Sequence, residues 1–391
     1  MGLPLEGIKI LDLSMVLPGP FCTQLLADYG AEVIKVENRG GDRGRWMQPF
    51  IKEQSARFYV VNRNKKSITL DLRKLASKDI LRRLVAYSDV LVHNYRPGMM
   101  EKLGLAYEDL RPVNERLIYC ALSGYGGTGP INKNAAHDIN IVSLAGIADL
   151  TGTSNSIPAL SAVQLGGMSG ALYAAIAILM ALYQRQNTGR GQYCDISMLD
   201  GLISLLPYTL ADWSGWGTLP KRGAGFLTGG FACYQVYETS DHRYLSLGAI
   251  EGKFWREFCQ RINKPQYIPI QLEPAYQEEM INGIREVMKS KTQAEWIQIF
   301  ADADICLTPV LNLDEVSKHP QVLNREMIIK LPDFEDSGKD MVLAGLPIKF
   351  SDTPGEFKSI FPKIGEHTNE ILAHLGYSSE EIELFRKEQI I

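Results

Sequence analysis

Gly7-Ile8-Lys9-Ile10-Leu11-Asp12-Leu13, then Phe21 to Tyr29 closed by Gly30, then Ala31-Glu32-Val33-Ile34-Lys35-Val36-Glu37, decide the fold. The first and third runs read as short strands, the middle one as a helix stopped by glycine. Strand, helix, strand is a βαβ unit. The pattern repeats in Ser67 to Leu72, a helical Leu75 to Tyr87 and Asp89-Val90-Leu91-Val92-His93-Asn94, and Leu117 to Ser123 adds another strand. Alternating strands and helices predict a mostly parallel sheet covered on both faces, an α/β fold.

Further along, Ser169 to Gln186 reads as a helix with small residues on several faces, ending in the turn cluster Asn187-Thr188-Gly189-Arg190-Gly191. Gln192 to Ile196 follows as a strand. Trp213 to Gly230, rich in Gly, Trp and Pro, has little periodicity and reads as a linker, so a large domain is expected over residues 1–212 and a small one over 231–325. Within the latter, Cys233 to Ile250 alternates around Ser240-Asp241-His242-Arg243, which predicts a hairpin. Helical periodicity returns at Phe254–Arg261, Tyr276–Met288 and Thr292–Ala301.

The chain of 391 residues is long enough for two or three domains, and 41 Lys and Arg against 45 Asp and Glu leave a formal charge of −4. Such a balance offers no global field for a polyanion, so nucleic acid is not an expected partner. Six scattered cysteines, Cys22, Cys120, Cys194, Cys233, Cys259 and Cys306, lack the spacing of a disulfide or zinc framework, and no metal site is expected. The N-terminus has no basic segment followed by an apolar run. The longest apolar stretch, Ala171 to Tyr183, has 13 residues against the roughly 20 of a membrane span. These features predict a cytoplasmic protein with a buried helix there and no membrane partner.

Gly124-Tyr125-Gly126-Gly127-Thr128-Gly129 fits GxGxxG after a strand, but Pro130-Ile131-Asn132-Lys133-Asn134 follows where a dinucleotide site needs a helix, so a flexible loop is the better reading. His137-Asp138 lies just beyond. His137 is either a structural residue, the commoner case for a lone histidine, or a proton-transfer group, since histidine is the residue most often used for proton transfer near neutral pH, and Asp138 suits a helix start. Glu251, at a strand end in Gly248-Ala249-Ile250-Glu251-Gly252, either faces a cleft or caps the next helix. Basic residues at Arg39, Arg43, Arg45, Arg63, Lys65, Lys66, Arg73, Lys74, Arg96 and Lys102 include several near strand ends, where open α/β sheets bind ligands. An anionic ligand carrying phosphates is expected there.

A set of ordered motifs resembles the class III CoA-transferase family, which also contains the α-methylacyl-CoA racemases. They are Pro4 to Leu13, Leu17-Pro18-Gly19-Pro20, Leu26 to Glu37, Asn62-Arg63-Asn64-Lys65-Lys66-Ser67, Asn94-Tyr95-Arg96-Pro97-Gly98, Gly124-Tyr125-Gly126 through Gly129-Pro130, Thr188-Gly189-Arg190-Gly191-Gln192 and Ile364-Gly365-Glu366-His367-Thr368. The resemblance implies a Rossmann-like large domain completed by a C-terminal tail over 326–391, a smaller α+β domain, and an interlocked dimer. It implies coenzyme A as substrate, with Arg39 at the adenine, Asn64 and Lys65 at the nucleotide end, Asn94 and Tyr95 beside the pantetheine, and Lys102 on phosphate.

The resemblance also implies a nucleophilic aspartate near the start of the helix that precedes Thr188-Gly189-Arg190-Gly191-Gln192. Gly167 stands at that position, and no Asp or Glu occurs from Leu150 to Cys194. The racemases share that aspartate, opposed by a histidine matched by His137 and accompanied by a glutamate matched by Glu251. Three readings follow. The one the sequence favours is a subunit of a heteromeric acyl-CoA:carboxylate CoA-transferase whose homologous partner brings the aspartate, as in benzylsuccinate CoA-transferase. The others are a racemase-like enzyme using His137 and a CoA-binding scaffold without chemistry.

Overall fold

The computed structural model describes residues 2–358 and 361–391. Six strands, β1 (Lys9–Asp12), β2 (Glu32–Glu37), β3 (Lys65–Thr69), β4 (Val90–His93), β5 (Ile118–Ser123) and β6 (Tyr193–Ser197), pair in the order β3-β2-β1-β4-β5-β6. Every neighbouring pair is parallel. This is the doubly wound order, whose strand sequence reverses direction between β1 and β4.

Side-chain alternation explains the two covered faces. Ile10, Val90, Val92, Ile118, Cys120 and Leu122 point into one core with α1 (Pro18–Asp28) and α4 (Leu165–Thr188). Leu11, Leu91, Tyr119 and Ala121 point into the other, against Ile80, Leu81, Leu84 and Val85 of α2 (Leu75–Ala86). That second core also takes in Ile371, Leu372 and Ile382 from the helices Thr368–His374 and Ser379–Lys387 near the end of the chain. The Ile364 to Thr368 motif docks beside β3: Gly365 N–H donates to the Ser67 hydroxyl at 2.9 Å, and His367 N–H to the Ser67 carbonyl at 2.9 Å.

Helix α4 is long and apolar enough by composition to cross a membrane. Here its small side chains Ala171, Ala174, Ala175 and Ala181, with Ile178, are buried on the sheet.

The chain divides into two compact units, one of Met1–Ala145, Ala162–Leu205 and Pro320–Ile391, the other of Gly146–Ser161 and Leu206–His319. The second unit contains a three-stranded antiparallel sheet, with Tyr244–Gly248 between Leu307–Pro309 and Tyr234–Glu238. The hairpin turns through His242 in a left-handed conformation, and the sheet packs on a core that includes Trp255, Phe258, Met280, Ile284 and Trp296. The stretch read as a linker from Trp213 begins in helix. Trp213 to Trp216 complete a helix, Pro207–Trp216, that starts on a proline at its first turn and ends on left-handed Gly217.

Candidate active site

The C-terminal ends of the strands carry two adjoining cavities in the first unit. One, of about 460 Å³, lies at the reversal point between β1 and β4 and is lined by Val16, Leu17, Asn94, His137, Asp138 and Gly167, among others. The other, of about 760 Å³, lies over the ends of β2 and β3 and is lined by Arg39, Arg73, Tyr95 and Met99, among others. Arg43 lines both. Crevices beyond the carboxyl ends of the strands at such a reversal are where open α/β sheets bind their ligands.

The wall after β1 is held in an unusual shape. Val16 has φ 70°, a conformation that β-branched residues rarely adopt. Three side chains hold the segment. Val16 N–H donates to Asp42 Oδ1 at 3.0 Å, the Lys35 ammonium donates to the Ser14 carbonyl at 2.8 Å, and the Asn94 amide both accepts from Met15 N–H at 2.9 Å and donates to the Met15 carbonyl at 2.8 Å. Asp42 is itself paired with Lys35 at 2.9 Å, both buried.

Beneath this loop, Asp12 accepts from Lys65 at 2.9 Å, from the Thr23 hydroxyl at 2.7 Å and from Ser14 N–H at 2.9 Å. Burial opposes its charge, but the Lys35 and Lys65 ammonium groups and the hydroxyl donors hold the carboxyl well below the usual carboxylate range. Burial, reinforced by neighbouring Lys35, outweighs the pull of Asp12 on Lys65 and brings its ammonium down to about 8.

Gly167 lies in the first turn of α4, and its N–H donates to Asp138 Oδ1 at 3.0 Å. Asp138 therefore caps a helix other than its own, besides opening α3 (Asp138–Leu144). The sequence suggested only the second role, because a contact between residues 29 positions apart leaves no local signal. His137 is exposed on the cavity wall, with its N–H bonded to the Asn140 side chain at 3.0 Å.

The structure thus brings together His137, Gly167 and Asn94 in the first cavity, and Arg39 and Tyr95 in the second. Lys65 and Asn64, expected at the nucleotide end, have polar partners within the chain. The Lys65 ammonium is fully buried and donates to Asp12, to the Pro20 carbonyl and to Asn62 Oδ1, each at 2.9 Å, which uses all three of its protons inside the fold. Asn64, left-handed at φ 61°, donates to Asp28 and to the Glu356 carbonyl and accepts from Lys358 N–H. Arg45 and Arg63 are likewise buried rather than solvated, paired at 2.7 Å with Glu37 and at 2.8 Å with Asp28. Lys102, exposed on the helix Met99–Leu103, lines neither cavity, although Met99 and Leu103 line the second. Glu251 belongs to the second unit, where it directly precedes the helix Gly252–Arg261 without a side-chain cap bond.

The GxGxxG segment stays a loop: Gly126 and Gly129 have positive φ, and Gly127 N–H donates to the Asp195 carboxylate at 2.9 Å. Among the described residues no group of three His, Cys, Asp or Glu is arranged to hold a metal ion.

Against known proteins, residues 5–368 match the model of CoA-transferase family III. The chain is 36% identical to an acyl-CoA transferase of Fusarium pseudograminearum over 99% of its own length and 88% of the relative's. It is also 36% identical to the α-methylacyl-CoA racemase of Homo sapiens, over 99% and 97%. A solved CAIB/BAIF family protein from Brucella suis superposes with a TM-score of 0.85 at 31% identity, covering 96% of this chain and all of that one. The protein belongs to CoA-transferase family III.

Proposed function

We propose that this chain holds an acyl-CoA thioester along the ends of its parallel strands and moves a proton at the acyl α-carbon, with His137 as base. In this reading the nucleotide end lies in the larger cavity with Arg39, and the pantetheine arm passes Tyr95 and Arg43. The thioester reaches the cavity that holds His137. Neither Arg39, Arg43 nor Arg96 has an ion-pair or side-chain hydrogen-bond partner among the described residues, which suits them to phosphate. His137 takes the α-proton, the C–H electron pair moves into the thioester as an enolate, and the proton returns to carbon.

The observation that carries this reading is the pairing of a histidine in the cavity with a glycine at position 167 of the same wall. Passage of CoA through an acyl anhydride needs a nucleophilic carboxylate there. Proton transfer needs only a base within reach. Incubation with a 2-methylacyl-CoA in D2O is expected to give α-deuterated thioester, slowed about 100-fold or more in His137→Ala for the enantiomer whose α-proton faces His137, the usual scale for a general base. An inert wild type that still binds CoA would refute the reading.

A second reading, a non-nucleophilic subunit of a heteromeric CoA-transferase, is supported by Gly167 together with the outer face of α4. Leu172, Ile176, Met180 and Tyr183 form one stripe there, with Met180 66% and Tyr183 71% exposed. Such a stripe suits burial against a second chain, whether a homologous partner or another copy in an interlocked dimer. Identifying the subunits of the natively purified complex separates these cases: a second, aspartate-bearing homologue would favour the heteromer.

A further inference from the structure

Asp138 is seated against the first turn of α4, where position 167 carries no side chain. Gln164, the residue at the start of α4, makes no side-chain cap bond, and the Gly167 amide is met instead by Asp138 Oδ1 at 3.0 Å. A Cβ added at Gly166 would come within 3.0 Å of that same oxygen, so the glycine there leaves room for the carboxylate. The other oxygen, Oδ2, has no hydrogen-bond partner among the described residues. Asp138 is only half-buried and lines the cavity that His137 lines. One oxygen is thus fixed by the helix, and the carboxylate as a whole borders the reacting volume.

We propose that Asp138 is the second proton-transfer group of this cavity, supplying from the start of α3 the carboxylate that α4 does not carry. The inference rests on the proton-transfer reading above and extends it from exchange to inversion. Starting from one enantiomer, His137 forms an N–H bond as the α C–H bond breaks and the electron pair moves into the enolate. Protonated Asp138 then gives its O–H proton to the α-carbon from the other side and becomes a carboxylate. Exchange of the two groups with water restores the starting state, and the opposite enantiomer runs the same steps with the roles reversed. No other reactant is consumed.

The test uses the full-length protein with each enantiomer of a 2-methylacyl-CoA in D2O, followed by NMR and chiral analysis. Wild type is expected to exchange and invert both. Asp138→Asn should lose inversion by about 100-fold or more and lose exchange from one enantiomer while keeping it from the other, and His137→Ala should show the opposite preference. A melting curve and CoA titration of Asp138→Asn establish that it is folded. Asp138→Glu, which keeps a carboxylate, should recover part of the inversion, a rescue that a purely structural cap would not show. Exchange and inversion unchanged in folded Asp138→Asn would overturn this role while leaving the His137 reading standing. A wild type inert toward both enantiomers, yet binding CoA, would overturn both. Should Asp138→Asn fail to fold, Asp138→Glu decides: inversion slowed but still present, with exchange from one enantiomer at the wild-type rate, supports the role, and inversion at the wild-type rate with altered stability overturns it.

Discussion

The Lys65 ammonium stands 2.9 Å from the Asp12 carboxylate, with both side chains completely buried. The pair ties β3 to β1 directly beneath the loop that forms the cavity wall. Removing this lysine of the Asn62 to Ser67 motif is therefore expected to act first on the stability of that wall.

Replacing Lys65 by Met should remove one of the two cations that compensate buried Asp12 and destabilise the protein by about 3–5 kcal/mol, the range for breaking a buried pair. Urea unfolding measures this. Under conditions where both forms are folded, CoA affinity by calorimetry is expected to stay within about threefold, since no direct contact is lost (a factor of ten would be 1.4 kcal/mol). Wild-type stability with strongly weakened binding would return Lys65 to the ligand.

His93 gives a pH signature. Burial pushes its imidazole down to about 4, and Nδ1 accepts the Tyr95 N–H at 3.2 Å, so the folded state keeps the ring neutral. Between about pH 6.5 and 4 the unfolded chain binds the proton and the folded one does not, so stability falls as pH falls across that window. The loss approaches about 3 kcal/mol at its lower end. His93→Asn, which retains an acceptor without titrating, should flatten this part of the melting profile. An equal slope in the variant would place the titration elsewhere.

Gly167 is open to a side chain. The nearest atoms a Cβ there would meet are on Leu17 and Gln164, at 3.4 Å and beyond, ordinary van der Waals contact. Gly167→Asp should therefore fold. Replacing a helical glycine gains about 0.5–1 kcal/mol and an acidic group in the first turn about 0.3–1, set against repulsion from Asp138. If the position is the one a nucleophile needs, the variant incubated with acyl-CoA should form a hydroxylamine-sensitive adduct absent from wild type. No adduct in a folded, CoA-binding variant would contradict that placement.

The exposed stripe on α4 should govern association. Met180→Glu with Tyr183→Glu puts two charges on a face that a second chain would bury. Light scattering is expected to show a smaller species than wild type, with secondary structure intact by circular dichroism. An unchanged mass would remove this face from any interface.

Much of the fold was legible because strands such as Val90–His93 and Ile118–Ser123 are apolar on both faces, and the helix between β1 and β2 ends on glycine. Burial of charge was not legible. Arg45, Arg63 and Lys65 look like solvated cations in sequence, and only partners distant along the chain, or on a neighbouring strand end, explain their enclosure. The same holds at the site. His137 announces itself by residue type, whereas the seating of Asp138 on the Gly167 amide depends on two segments meeting in space.

The most direct measurement records substrate and protein together: the purified chain is incubated with a 2-methylacyl-CoA in D2O and both are analysed by mass spectrometry. The expected result is a thioester one mass unit heavier at the α-carbon, with the protein mass unchanged and the isotope uptake lost in His137→Ala from the enantiomer whose proton His137 removes. A covalent acyl or CoA adduct on the protein, with no deuterium in the thioester, would contradict proton transfer at this site and assign the chain a covalent transfer instead.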